Sequence, residues 1–122
     1  MNLHDYIPSV LDFPKPGIVF KDISPLLANP QAFANAIDGL QRLSEFEEFD
    51  YILGIESRGF IFGASLAQAS KKGLVLARKP KKLPCEVYSE SYGLEYGSDA
   101  LEIQQKILPE NSRVLLIDDV LA

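Results

Sequence analysis

Two adjacent acids, Asp118 and Asp119, follow the apolar run Val114-Leu-Leu-Ile117. Such a run reads as a strand buried on both faces, with the acids at its carboxyl end. In open α/β sheets, ligands bind just beyond the carboxyl ends of strands. Two carboxylates placed there are costly to desolvate unless something holds them, and ribose hydroxyls or a metal ion would do so. Walker-B-like ATPase strands also end in acids, so the pair alone leaves a generic nucleotide-binding domain open. No Gly-x-x-x-x-Gly-Lys-Ser/Thr loop accompanies it.

Gly54-Ile-Glu-Ser-Arg-Gly59 links a strand-like run to a helix-like one. Backbone N–H groups at a helix start, with an arginine beside them, form an anion site. An ordinary tight turn with a surface arginine has the same residues. Arg78, Lys79, Lys81 and Lys82 crowd one short stretch after another apolar run. They can clamp a polyphosphate, or they can be a solvated basic loop, as most charge runs are. Phe20, between a Pro-Gly turn and polar residues, can stack on a flat heterocycle, but a core anchor is the plainer reading. Glu95, in a polar loop, can act as a general acid or hydrogen-bond a base edge, and a surface glutamate is the simpler alternative.

The elements that must position these residues are legible in outline. Leu3 to Leu11 reads as a short helix, stopped by Pro14-Lys-Pro16-Gly17, and Ile18-Val-Phe20 as an extended run. Asn29-Pro30 is a helix start, cap followed by first-turn proline. Phe33, Ala36, Ile37, Leu40 and Leu43 follow at helical spacing and predict one buried stripe. Tyr51 to Ile55 reads as a buried strand and Gly59 to Ser70 as a helix of small residues, which allow close packing. Lys71, Lys72 and Gly73 are expected to end that helix, cations at its negative pole and glycine at the cap. Leu74 to Ala77 is the next strand, so strand, helix and strand make a parallel unit. Residues 79–97 read as a loop or mobile hairpin. Ser98 to Leu108 carries both a helix-cap signal and strand-like alternation.

The bulk properties narrow the classes. With 122 residues and no linker or repeat, the chain is expected to form a single domain, 1–122. A net charge of −5 argues against non-specific nucleic-acid binding, while the local cations suit a small anionic ligand. One cysteine, Cys85, excludes an internal disulfide, and one histidine, His4, gives no basis for a His-dependent triad. No stretch approaches the ~18 apolar residues of a membrane span, and nothing resembles a signal peptide. The expectation is a cytoplasmic protein without membrane association.

Together these segments resemble the adenine phosphoribosyltransferase family, within the type I phosphoribosyltransferases. Asp12-Phe-Pro-Lys-Pro-Gly-Ile-Val-Phe-Lys-Asp-Ile-Ser-Pro25 is similar to the family's N-terminal signature, and Asp50-Tyr-Ile-Leu-Gly-Ile-Glu-Ser-Arg-Gly-Phe60 to its pyrophosphate loop. Arg78-Lys79, Lys82-Leu-Pro84 and Tyr92-Gly-Leu-Glu-Tyr-Gly97 resemble its basic and mobile loops. Val114 to Ala122 resembles the start of the motif that binds 5-phosphoribosyl 1-pyrophosphate (PRPP). The resemblance implies an α/β type I phosphoribosyltransferase fold: a Rossmann-like parallel sheet flanked by helices, with a mobile hairpin. It favours a strand at Ser98–Leu108 and predicts a strained or cis peptide near Glu56-Ser57.

It also implies the reaction: adenine plus PRPP, with magnesium, gives AMP and pyrophosphate in purine salvage. Asp118 and Asp119 would take the ribose hydroxyls. Ser57, Arg58, Arg78, Lys79 and Lys82 would hold pyrophosphate, and in the family the cluster of Arg78, Lys79 and Lys82 can reach a neighbouring subunit's site. Val19, Phe20 and Lys21 would bind adenine, Phe20 by stacking. Glu95 would be the catalytic proton carrier, and Tyr96 would belong to the closing loop. Magnesium would be held mainly through PRPP oxygens and water rather than directly by protein ligands, and a homodimer is implied. Ala122 would begin the 5′-phosphate loop, which the family continues with Thr-Gly-Gly-Thr and further elements. On this reading the C-terminal elements lie beyond the given residues, so the 122 residues alone are expected to be inactive and part of a longer protein. The alternative within the same fold is a non-catalytic regulator that binds PRPP or a purine nucleotide without consuming it.

Overall fold

The computed structural model describes residues 1–94 and 97–120, with backbone only at positions 94, 97 and 98. The chain divides into two compact units, Met1–Glu45 and Phe46–Ala122.

In the first unit the helix expected over residues 3–11 is a single 3-10 turn, Leu3–Tyr6. Pro8 explains the early stop: it has no N–H to donate and its ring blocks a continuing helix. Ser9–Leu11 is instead strand β1, antiparallel to β2 (Val19–Lys21), with Val10 opposite Phe20. Helix α1 (Ser24–Ala28) precedes α2 (Pro30–Ser44). The Asn29 side chain accepts from the Ala32 amide at 2.9 Å, so the cap predicted from Asn29-Pro30 is formed. The buried face of this unit carries Leu26, Ala32 and Ile37. Leu43, expected in the stripe, is 81% exposed. It lies six residues past Ile37, about 120° round the helix from it. Ser44 is buried in its place, its hydroxyl donating to the Leu40 carbonyl at 2.9 Å.

The second unit is built on a three-stranded parallel sheet in the order β4-β3-β7, with β3 (Tyr51–Ile55) central, β4 (Gly73–Ala77) and β7 (Val114–Ile117). Helix α3 (Arg58–Ser70) lies against the sheet. Ile52 and Leu66 are wholly buried, and Val75, Ala77, Phe62 and Ile117 join them. Burying each large aliphatic side chain contributes about 1.5–3 kcal/mol. Lys71, not glycine, takes the left-handed position that closes α3, with φ 56 and ψ 43. Gly73 opens β4 instead, where a Cβ would stand 2.9 Å from Cδ1 of Tyr51. The glycine therefore serves packing against a ring rather than the helix cap.

Strands β5 (Val87–Leu94) and β6 (Gly97–Gln104) form an antiparallel hairpin. The strand reading of Ser98–Leu108 is thus correct up to Gln104. The hairpin is tied to the end of β4 by a two-bond bridge. Arg78 N donates to the Glu102 carbonyl at 2.9 Å, and Glu102 N to the Arg78 carbonyl at 2.8 Å.

Candidate active site

The carboxyl ends of all three parallel strands carry charged residues. After β3 come Glu56, Ser57 and Arg58. After β4 come Arg78 and Lys79. After β7 come Asp118 and Asp119. Parallel pairing in register puts these three ends on one edge of the sheet. That edge is where open α/β sheets bind ligands.

Ser57 precedes α3 and makes no side-chain cap bond, and the Glu56–Ser57 peptide is cis, as the resemblance predicted. Arg58 opens the helix. Its Nε lies 2.9 Å from Oδ2 of Asp119, whose side chain is only 7% exposed. A predicted pyrophosphate ligand and a predicted ribose ligand are therefore paired with each other. The Asp119 amide donates to Oδ1 of Asp118 at 2.8 Å. Desolvation pushes the Asp118 carboxyl above the ordinary aspartate range. The Asp119 amide opposes this, the Asp119 carboxylate adds to it, and Arg58 opposes it.

The acids and the α3 start approach closely because residue 59 is glycine. A Cβ on Gly59 would stand 2.9 Å from the Ile117 carbonyl and 3.1 Å from Oδ1 of Asp118. Spacing alone marked Gly59 only as the end of a turn motif; its contact with the third strand is a fact of the fold.

The basic loop is held by two acids that sequence reasoning did not single out. Glu56 accepts from Arg78 Nε at 2.9 Å and from the Lys79 amide at 3.2 Å. Desolvation would raise Glu56, but the bonds from Arg78 and the Lys79 amide, with the charges of Arg78 and Lys82, outweigh it and leave it below the ordinary glutamate range. Lys79 pairs through Nζ with Asp99 of the hairpin and donates to the Tyr92 hydroxyl at 3.2 Å. The bond to Asp99, then the one to Tyr92, raise the Lys79 pKa, while the same bond from Lys79 leads the causes that lower Asp99. Lys82 is exposed. The only signal for Glu56 was an acid inside an otherwise cationic motif, and Asp99 had none.

In the first unit, Val19, Phe20 and Lys21 all lie on β2. Phe20 is half-buried and meets Phe13 edge-on, with ring centroids 5.1 Å apart. Lys21 Nζ donates to the Ser9 hydroxyl at 2.6 Å. Glu95, Tyr96 and Ala122 lie outside the described residues. Among the described residues no group of three or more His, Cys, Asp or Glu is placed to hold a metal, and no helix is long and apolar enough to cross a membrane.

The phosphoribosyl transferase domain model matches residues 22–122. The adenine phosphoribosyltransferase of Polynucleobacter asymbioticus is 64% identical over 122 residues, which is all of this chain and 71% of that protein. The chain belongs to the adenine phosphoribosyltransferase family. The crystal structure of the adenine phosphoribosyltransferase from Thermoanaerobacter pseudethanolicus matches with a TM-score of 0.89 at 45% identity, covering 94% of this chain and 69% of that one. The Saccharomyces cerevisiae adenine phosphoribosyltransferase, solved with D-2,5-dideoxy-2,5-imino-altritol 1,6-bisphosphate and adenine, matches at 0.88 and 41%, covering 96% and 69%. The parallel sheet, α3 and the hairpin are thus the type I phosphoribosyltransferase fold of the adenine phosphoribosyltransferases.

Proposed function

We propose that this protein converts adenine and PRPP to AMP and pyrophosphate. One observation carries the reading: a chain of this family places Arg58, Arg78, Lys79, Asp118 and Asp119 on one edge of its parallel sheet.

The chemistry follows from charge. Breaking the bond between the anomeric carbon and pyrophosphate builds positive charge on the ribose and negative charge on the leaving group. Preorganised groups of opposite sign stabilise that separation without reorganising during the step. Asp118 and Asp119 accept the ribose hydroxyls and lie beside the cationic sugar. Ser57, Arg58 and the amides at the α3 start hold the departing pyrophosphate, with Arg78, Lys79 and Lys82 adding positive charge. Adenine lies on β2, Phe20 stacking on its face and the backbone of Val19 and Lys21 reading its polar edge. Glu95 takes the proton from the five-membered ring, and the hairpin loop with Tyr96 closes to exclude water, which would otherwise intercept the sugar. Ala122 begins the 5′-phosphate contact.

Two adjacent carboxylates, one already paired with arginine, suit a magnesium ion that takes most of its ligands from PRPP and water. Asp118 would be the side chain to meet it, and the ion would supply positive charge toward the leaving pyrophosphate when bound. Residues 1–122 act as one transferase domain on this reading. A homodimer and a cytoplasmic setting, where phosphorylated sugars are made and used, belong to the same proposal on the strength of the resemblance.

A panel of bases tests the substrate. Adenine should be turned over at least about 100-fold more efficiently than hypoxanthine, guanine or orotate, because a site that hydrogen-bonds one base edge leaves polar groups unpaired with another. Equal use of hypoxanthine would remove the adenine assignment and keep the phosphoribosyl transfer.

A further inference from the structure

Glu56 is the only acid in the Gly54-Ile-Glu-Ser-Arg-Gly59 turn, beside the groups proposed to hold a polyanion. A carboxylate directed at bound pyrophosphate would repel it. Here the carboxylate is spent elsewhere. Its Oε1 receives Arg78 Nε at 2.9 Å and the Lys79 amide at 3.2 Å, and the Glu56 amide donates to the Ala77 carbonyl at 2.9 Å. The Glu56 side chain is 14% exposed and that of Arg78 31%, so the pair is partly sheltered from water. Arg78 also lies over the Phe60 ring in the first turn of α3, at 6.0 Å from its centroid. The guanidinium is therefore fixed from two sides by the segment that carries Ser57 and Arg58.

We propose that Glu56 is a positioning residue for the pyrophosphate grip. It touches no substrate. It joins the loop after β3 to the loop after β4, setting Arg78 and the Lys79 backbone against Ser57 and Arg58, so that both loops present donors to one leaving group. This rests on the proposed reaction for its meaning but not for its test. Misplacing a binding group by even about 1 Å is costly, and charge-assisted bonds are the ones that hold such geometry.

The test is calorimetric binding of magnesium pyrophosphate, without adenine, to the full-length protein and to Glu56→Ala, Glu56→Gln, Arg78→Ala and the Glu56→Ala/Arg78→Ala double variant. Glu56→Ala is expected to weaken binding about tenfold or more, the size of a lost charge-assisted bond. Glu56→Gln keeps the size and an acceptor oxygen, and should fall between Glu56→Ala and wild type. It also stands in if the alanine variant does not fold. Adding Glu56→Ala to Arg78→Ala should cost much less than Glu56→Ala alone, because the group it positions is gone. In turnover, the KM for PRPP should rise while that for adenine holds. Wild-type affinity in both Glu56 variants overturns the proposal, and so do Glu56 and Arg78 effects that multiply. A protein that binds pyrophosphate in this graded way yet makes no AMP refutes the reaction and keeps the role of Glu56. One that makes AMP with unaltered pyrophosphate affinity in the Glu56 variants does the reverse.

Discussion

Arg58 Nε and Asp119 Oδ2 stand 2.9 Å apart, with the Asp119 side chain almost wholly enclosed. One cation and one acid of the candidate site are thus paired with each other. PRPP has charge for both: a polyphosphate for the arginine and a sugar that becomes cationic for the acid. On the proposed reaction, binding would exchange this internal pair for two external ones.

That exchange makes Arg58 and Asp119 separable by mutation. Arg58→Ala leaves a sheltered carboxylate without its arginine and should lower stability by about 1–3 kcal/mol. It should also raise the KM for PRPP. Adding Asp119→Asn to Arg58→Ala should restore much of the stability, since the unpaired charge is gone, and none of the PRPP affinity. Thermal melts and PRPP kinetics on the three variants check this. Stability losses that simply add in the double variant would contradict the pairing.

Gly59 sets how closely α3 approaches the end of β7. A Cβ there would meet the Ile117 carbonyl at 2.9 Å and Asp118 Oδ1 at 3.1 Å. The first contact is backbone and cannot rotate away. Gly59→Ala should therefore cost about 1–3 kcal/mol of stability as an overpacked contact, and raise the KM for PRPP more than that for adenine. A melt and a pair of saturation curves suffice. An alanine variant with unchanged PRPP kinetics would remove Gly59 from the placement of Asp118.

Asp118 carries a raised pKa, so its ionised form is disfavoured in the folded chain relative to the unfolded one. The sign follows by linkage. The contribution of this group to stability is fully present below the ordinary aspartate value of 3.8 and is lost as pH rises through the raised folded value. Asp118→Asn should therefore melt slightly higher than wild type at pH 7, solvent at this exposed position screening most of the effect. The gap should close as the pH falls toward the ordinary aspartate range. The same variant should lose PRPP turnover. A lower melting temperature at pH 7 would contradict the assignment of a costly carboxylate retained for function.

Lys79 must exchange Asp99 and Tyr92 for pyrophosphate if it is to serve the leaving group. Asp99 is held below the ordinary aspartate range by the Lys79 bond, and Lys79 is held above the ordinary lysine range by the Asp99 bond. The pair's contribution is lost only as pH falls through the lowered Asp99 value or rises through the raised Lys79 value. Between about pH 5 and 9 it stays intact, and any pH dependence of activity there arises elsewhere. Asp99→Asn should free Lys79 and lower the KM for PRPP a few-fold. It should also speed amide exchange in β5 and β6, read by hydrogen exchange. Unchanged exchange and an unchanged KM would mean that the bond does not couple hairpin to site.

The strand-end positions of several candidate residues were legible because they follow apolar runs. Asp118, Asp119 and Arg78 stand directly after apolar runs and Arg58 three residues after one, and strand ends are where an α/β sheet receives ligands. What escaped was non-local. Glu56 and Arg78 stand 22 positions apart in the chain and Asp99 and Lys79 stand 20 apart, separations no spacing rule reaches. The misread elements have equally particular causes. Pro8 cut the first helix to one turn, and Leu43 fell out of phase with Ile37. Gly73 had a more pressing use against the Tyr51 ring than at a helix cap.

The most direct test is to incubate the full-length protein with PRPP, adenine and magnesium and follow AMP and pyrophosphate together by chromatography. One AMP is expected for each pyrophosphate, both dependent on adenine and both abolished by Asp118→Asn. PRPP that binds but remains intact in the presence of adenine would contradict it, and would make the protein a PRPP-binding regulator with the fold of an enzyme.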